Sequence, residues 1–221
     1  MDWNEHVDKW KDCQRCPLAQ QRGRICLARG SLPADVVFVG EAPGMSEDAI
    51  GEPFTGPAGR ILDDIIARAL PRGVSFVMTN LVACFPREAK SRGDNQPERG
   101  EILECRPRVV EFVNLARPRL IVRVGKLVQT YLAFDNSIRY CDIEHPASII
   151  RMPIVKQGYA AQTCVVQIVT AYEDVVESAK PFTHWGPGDA EANPKAYLRR
   201  MYDTAFERES KRAYPDEPLP F

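Results

Sequence analysis

Neither sign of charge prevails in this chain of 221 residues, where 29 Lys and Arg meet 30 Asp and Glu for a net charge of −1. A protein that holds polyanions by bulk charge alone is thereby excluded, and any nucleic-acid contact has to be local. No apolar run is long enough to cross a bilayer, and the opening Met1-Asp2-Trp3-Asn4-Glu5 lacks the basic and then apolar character of a secretory leader. A soluble cytoplasmic protein is expected. Repeats and low-complexity tracts are also missing, so one main domain is the default. Histidines number only three. The seven cysteines are odd in number and scattered, which suits reduced thiols, some of them metal-bound, better than a disulfide framework.

What is present is enough apolar chain, 44% of residues, for one substantial core. Asp35 to Gly40 is a β-branched and aromatic run closed by glycine, the pattern of a strand covered on both faces of a parallel sheet. After a turn-rich loop from Glu41 to Gly56, apolar residues Ile61, Leu62, Ile65, Ile66 and Ala69 recur at helical spacing until Pro71-Arg72-Gly73 stops them. Val74 to Asn80 and Arg119 to Gly125 read as further strands, each followed by helical patterning, over Pro97 to Ala116 and through Leu127 to Leu132. Tyr140 to Glu144 supplies a fourth strand that delivers His145-Pro146, and Val165 to Val176 fits strand or helix. Strands alternating with helices predict a three-layer α/β/α sandwich around a short, mostly parallel, four-stranded sheet. The expected domain covers residues 1–180. Residues 181–221 form an extension: a Pro- and Gly-rich loop, an amphipathic helix over Tyr197 to Phe206, and a proline-studded tail.

In such sheets ligands sit at the carboxyl ends of strands, so chemistry is expected just after Val39, Thr79 and Val124. The first of these ends runs into Gly40-Glu41-Ala42-Pro43-Gly44-Met45-Ser46-Glu47-Asp48, with three carboxylates among glycines and a proline. No Gly-Lys-Ser/Thr follows, which argues against a triphosphate cradle. Such acidic turns are most often solvated surface; here the dense glycine and proline hold the backbone more closely than solubility requires. Cys13-x-x-Cys16 opens the chain, and Cys84 and Cys105 each stand just before a proline.

Taken in order, Val39 to Asp48, Pro53 to Gly59, Thr79 to Cys84, Asn95 to Pro97, Cys105-Arg106-Pro107, Val124-Gly125 and His145-Pro146-Ala147 resemble the iron–sulfur, family 4, uracil-DNA glycosylases. The resemblance implies a monofunctional hydrolase that cleaves the N-glycosidic bond of a uracil flipped out of DNA. Such cleavage creates an oxocarbenium-like sugar and a base anion, so it calls for a carboxylate near the sugar and a donor near the leaving oxygen. The extracted base further needs an aromatic floor and an edge reader. The resemblance offers Phe54 as floor and Asn80 as reader, since a carboxamide matches uracil O4 and N3–H but leaves the amino group of cytosine badly paired. It makes Glu41 the first candidate for holding the water and Glu47 the second. Ala42, Pro43 and Gly44 would border the pocket, and His145 would donate to uracil O2 or contact the strand.

Cys13, Cys16, Cys84 and Cys105 match the cluster ligands of that family. Their chemistry alone admits zinc or a [4Fe–4S] cube, and the resemblance favours the cube. Cys26, Cys141 and Cys164 read as ordinary packed thiols. Arg87, Lys90, Arg92 and Arg151 are candidate phosphate contacts in a mixed-charge setting. The chain departs from the pattern in having Ala147 where the family more often has serine, and in having no histidine between Cys84 and Cys105, which favours hydrolytic turnover over covalent trapping. The base is the property these departures touch most. A glycosylase for another modified base, or a non-catalytic DNA-binding protein on the same scaffold, is the alternative. A monomer acting on DNA, away from membranes, is expected.

Overall fold

The computed structural model describes residues 1–87, 95–133 and 138–178. The chain divides into two units, Met1–Val175 and Val176–Phe221, and the fold that follows is that of the first. Residues 179–221, including the expected helix over Tyr197 to Phe206, lie outside the described residues, as do Lys90 and Arg92.

The sheet has five strands rather than the expected four. They are β1 (Arg29–Gly30), β2 (Val36–Gly40), β3 (Phe76–Asn80), β4 (Leu120–Val124) and β5 (Arg139–Ile143), in the spatial order β1-β3-β2-β4-β5. The extra strand is β1, two residues long and antiparallel to β3; it carries no apolar alternation, so nothing in its composition marks it. The other four run parallel. Every residue of β2 is buried, as a parallel strand covered on both faces requires.

Register decides what meets at the strand ends. Gly40 pairs with Asn80, so Glu41 and Leu81 leave the sheet side by side, and the Leu81 and Val82 amides continue the ladder onto the carbonyls of Gly40 and Glu41 at 2.8 and 3.2 Å. Val124 pairs with Ile143, which brings Gly125 level with the segment leading to His145.

Helices cover the sheet. They are α1 (Trp3–Trp10), α2 (Met45–Ile50), α3 (Pro57–Ala69), α4 (Arg99–Ala116), α5 (Lys126–Tyr131), α6 (Pro146–Arg151) and α7 (Ile154–Ser178). On α3 the buried Leu62, Ile65, Ile66 and Ala69 trace one helical face, and Pro57 begins the helix where no N–H is needed. From α4, Ile102, Val109, Phe112, Val113 and Ala116 pack with Val37, Val39 and Ile121 into one cluster. Val36, Phe38, Leu120 and Val122, which alternate with these along the strands, are equally buried, so both faces of the sheet are covered. Val165 to Val176 resolves as helix within α7, with Val165, Ile168 and Val169 buried. Among the described residues no helix is long and apolar enough to cross a membrane.

The amino-terminal helix is fastened to α4 through one carboxylate. Glu111 accepts from Trp10 Nε1 at 2.8 Å and Lys9 Nζ at 2.5 Å, and is hydrogen-bonded to His6 Nδ1 at 2.8 Å. His6 is fully buried, and burial pushes its pKa below the usual value against the pull of Glu111. This latch carries Cys13 and Cys16 to the flank of α4.

Candidate active site

At the end of β2 the backbone of Gly40 runs between two side chains. A Cβ there would overlap both Asn80 Oδ1 and Phe54 Cζ, and would lie 3.2 Å from Phe54 Cε1. Only hydrogen leaves room for the ring and the carboxamide to approach the same Cα, so the aromatic floor and the edge reader expected from the sequence do converge. Asn80 is 2% exposed, and its carboxamide makes no hydrogen bond among the described residues. With no protein partner among the described residues, the carboxamide is open to a ligand edge that complements its donor and its acceptor. Phe54 has φ of 58°, a backbone conformation that bulky residues rarely adopt and that the surrounding structure has to enforce.

Glu47 supplies much of that enforcement. The sequence pattern placed a loop here, but Met45–Ile50 is helical, and Glu47 lies in the first turn of α2. Its Oε2 accepts from the Gly44 amide at 3.1 Å and its Oε1 from the Gly56 amide at 2.8 Å. One buried carboxylate thus ties the Ala42-Pro43-Gly44 turn to the turn that presents Phe54. Both oxygens accept from backbone amides, the geometry of a clamp between the two turns.

Across from this pair stand Glu41 and His145. Gly125, at φ of 98°, makes the turn out of β4 that side-chain-bearing residues rarely adopt; a Cβ on it would sit 2.7 Å from Glu41 Oε1 and 3.2 Å from His145 Cβ and Cδ2. Three strand ends therefore converge, with Glu41 after β2, Asn80 closing β3 and His145 after β5. His145 caps α6, its Nδ1 accepting from the Ala147 amide at 3.1 Å. A ring whose Nδ1 accepts carries its proton on Nε2 when neutral. Burial, reinforced by the cation of Arg151 and opposed by Glu144, pushes its pKa down to about 4, so the ring is neutral at physiological pH and presents Nε2–H as a donor.

The four cysteines singled out in the sequence line one cavity, together with Trp10 and Arg108. Cys13 follows α1, its amide bonded to the Trp10 carbonyl at 3.1 Å; Cys16 precedes the 3-10 turn Pro17–Gln20; Cys84 lies just past β3 and Cys105 within α4. All four are free thiols. Arg22 Nη1 lies 3.4 Å from Cys84 Sγ and donates to the Cys13 carbonyl at 2.7 Å, and Arg108 Nε lies 3.4 Å from Cys105 Sγ. Burial pushes the Cys84 thiol up to about 11, although Arg22 favours its thiolate. No three Cys, His, Asp or Glu side chains among the described residues are grouped so as to hold one metal ion. Cys26 and Cys141, pushed up to about 12 by burial, and Cys164, also raised, are packed neutral thiols.

Of the candidate phosphate contacts, Arg87 is paired with the buried carboxylate of Asp48 and leans over Phe85, its guanidinium carbon 5.8 Å from the ring centroid. Asp48 also accepts from the Gly23 amide at 2.8 Å, so Arg87 belongs to a loop-fastening pair while 47% of its side chain stays exposed. Arg151 is exposed at the end of α6. Sequence reasoning missed Arg108, which is fully buried beneath the site; the mixed charge around it reads as a solvated face. It missed the clamp role of Glu47 too, for which the spacing Gly44-x-x-Glu47 before a short helix was an available signal.

An acidic turn, an aromatic ring, a carboxamide and a neutral imidazole thus meet at the carboxyl ends of the parallel strands of an α/β protein, the place where such folds bind their ligands. The chain belongs to the uracil DNA glycosylase superfamily, whose family profile matches residues 27–167. It is similar to the type-4 uracil-DNA glycosylase of Pyrobaculum aerophilum, at 28% identity over 71% of this chain and 88% of the relative. It is similar also to the type-4 enzymes of Saccharolobus solfataricus, at 36% over 57% of this chain and 56% of the relative, and Archaeoglobus fulgidus, at 28% over 66% and 82%.

Proposed function

We propose that this protein is a monofunctional DNA glycosylase that hydrolyses the N-glycosidic bond of uracil flipped out of DNA, leaving an abasic site. The observation that carries the reading is the shared approach of the Phe54 ring and the unpartnered Asn80 carboxamide to Gly40. Uracil offers an acceptor at O4 beside a donor at N3, the complement of one carboxamide. Cytosine presents an amino group at the first position and a bare nitrogen at the second, leaving Asn80 mispaired in a buried place.

The reaction follows from the groups around that slot. The base stacks on Phe54 with its polar edge against Asn80, while the deoxyribose points toward Glu41. As the bond to C1′ lengthens, positive charge grows on the sugar and negative charge on the base. The Glu41 carboxylate opposes the first and orients the attacking water; the Nε2–H of neutral His145 donates to O2 and stabilises the second. A neutral donor suits this role, since an imidazolium would protonate the base outright. Glu47 keeps the two turns in register and takes no proton. The net charge of −1 leaves phosphate binding to local groups, of which Arg151 beside His145 is the nearest candidate.

Cys13, Cys16, Cys84 and Cys105 are the residues that would hold a [4Fe–4S] cluster. The four thiols line one cavity, and the resemblance to the iron–sulfur enzymes favours the cube over a zinc ion there. When bound, the cluster supplies a structural tie between the α1 segment, the turn after β3 and α4. The purified protein incubated with a uracil-containing oligonucleotide gives alkali-labile strands and free uracil, while a thymine control stays whole; an intact uracil strand contradicts the reading.

A further inference from the structure

We propose that Arg108 is the positioning residue that joins the four-cysteine site to the base-reading end of β3, a role that rests on the glycosylase reading above. Its side chain is fully buried in α4, yet it has no carboxylate partner among the described residues. Each of its five N–H groups has an acceptor within reach. Nε lies 3.4 Å from Cys105 Sγ; Nη1 lies 3.0 Å from Thr79 Oγ1 and 3.4 Å from the Leu27 carbonyl; Nη2 meets the Asn80 carbonyl and lies 3.5 Å from that of Leu81. Thr79 Oγ1 in turn donates to the Leu27 carbonyl at 2.7 Å.

Four of these acceptors are neutral oxygens. The sulfur of Cys105 is the one acceptor that belongs to the four-cysteine site, and a metal held there by thiolates would place negative charge beside this buried, permanent cation. The same rigid fork grips the backbone carbonyl of Asn80, whose carboxamide approaches Gly40 together with the Phe54 ring. Arg108 therefore does two things through one plane: its charge favours the metal-loaded site, and its geometry sets the depth and tilt at which Asn80 meets the base. Lysine preserves the first property and cannot reproduce the second, because one ammonium cannot span Cys105 and the two carbonyls of Asn80 and Leu81.

The test compares the metal-loaded protein with Arg108→Lys and Arg108→Gln. Two quantities are read: the rate at which bound metal passes to a chelator, which serves for iron or zinc alike, and single-turnover release of uracil. Arg108→Gln is expected to lose metal and to lose excision rate, each by roughly tenfold or more, the scale of a charged hydrogen bond. Arg108→Lys is expected to hold its metal within about twofold of the unaltered protein while excision stays roughly tenfold down. Unchanged metal retention and excision in Arg108→Gln, or full excision in Arg108→Lys, overturns the proposal. Should neither variant accumulate folded, Thr79→Val decides, because it removes one acceptor of the fork. A few-fold loss in both quantities is then expected, and no change in either overturns the proposal. If the unaltered protein holds metal but releases no uracil, the glycosylase reading fails, and chelator-driven metal loss still tests the charge role of Arg108.

Discussion

Placing one methyl group at residue 40 should disable base recognition without unfolding the protein. Gly40 lies in extended β2, so Gly40→Ala asks nothing unusual of the backbone; the whole perturbation is steric. The new Cβ would stand 3.2 Å from Phe54 Cε1 and closer still to Phe54 Cζ and Asn80 Oδ1. Ordinary carbon contacts are about 3.5–4.0 Å, so the ring and the carboxamide must each give way by roughly 1 Å. Overpacking of this kind costs about 1–3 kcal/mol of stability. A misplacement of roughly 1 Å in a reacting assembly costs about a hundredfold in rate. The assay is single-turnover release of uracil from an oligonucleotide, with thermal unfolding and binding of an undamaged oligonucleotide as controls. The expected outcome is a folded protein, binding undamaged DNA normally, with excision down about a hundredfold. Excision within about twofold of the unaltered rate would refute the idea that Phe54 and Asn80 close on one ring across Gly40.

Other outcomes follow from the same geometry. Glu47→Gln replaces one of two carboxylate acceptors by an amide donor, so the link between the Gly44 and Gly56 amides should weaken by about 2 kcal/mol, visible as a lowered melting temperature with excision reduced alongside. A variant as stable as the unaltered protein but inactive would instead make Glu47 a chemical participant. For His145, the unfolded chain takes up its proton near 6.5 but the folded site does so only near 4. The stability that the neutral, half-buried ring contributes is then complete above about pH 6.5 and is lost as pH falls toward 4. The neutral donor persists across that window, so the excision rate should show no His145-dependent inflection near 6.5, and an inflection there that vanishes in His145→Gln would contradict the neutral-donor role. Asn80→Asp turns a donor–acceptor edge into acceptors alone; uracil release should fall while cytosine release becomes detectable by mass spectrometry, and undiminished discrimination against cytosine would remove Asn80 from base reading.

The four parallel strands were legible because each is a short apolar or β-branched run covered on both faces, a composition that little else produces. β1 was not, since two residues held by pairing alone carry no periodic signal. α2 and α6 escaped for a related reason: each has six residues, set among glycines and prolines that read as turns. α7 was ambiguous because its β-branched residues, Val165, Val166, Ile168 and Val169, favour strand by propensity while their burial follows a helix. The converging residues after β2, β3 and β5 could be anticipated from strand ends, and the resemblance named them. Their supports could not. Glu47 reads as one more acid in an acidic turn until the Gly56 amide is seen against it, and nothing singles out Arg108 until α4 is packed against β3.

The position of uracil bound to the unaltered protein, determined crystallographically after excision from an oligonucleotide, tests the central claim most directly. The pyrimidine ring is expected flat on Phe54, its O4 and N3 edge within hydrogen-bond distance of the Asn80 carboxamide and its O2 toward His145 Nε2. Uracil seated elsewhere, or held with Asn80 turned away from it, would contradict the account.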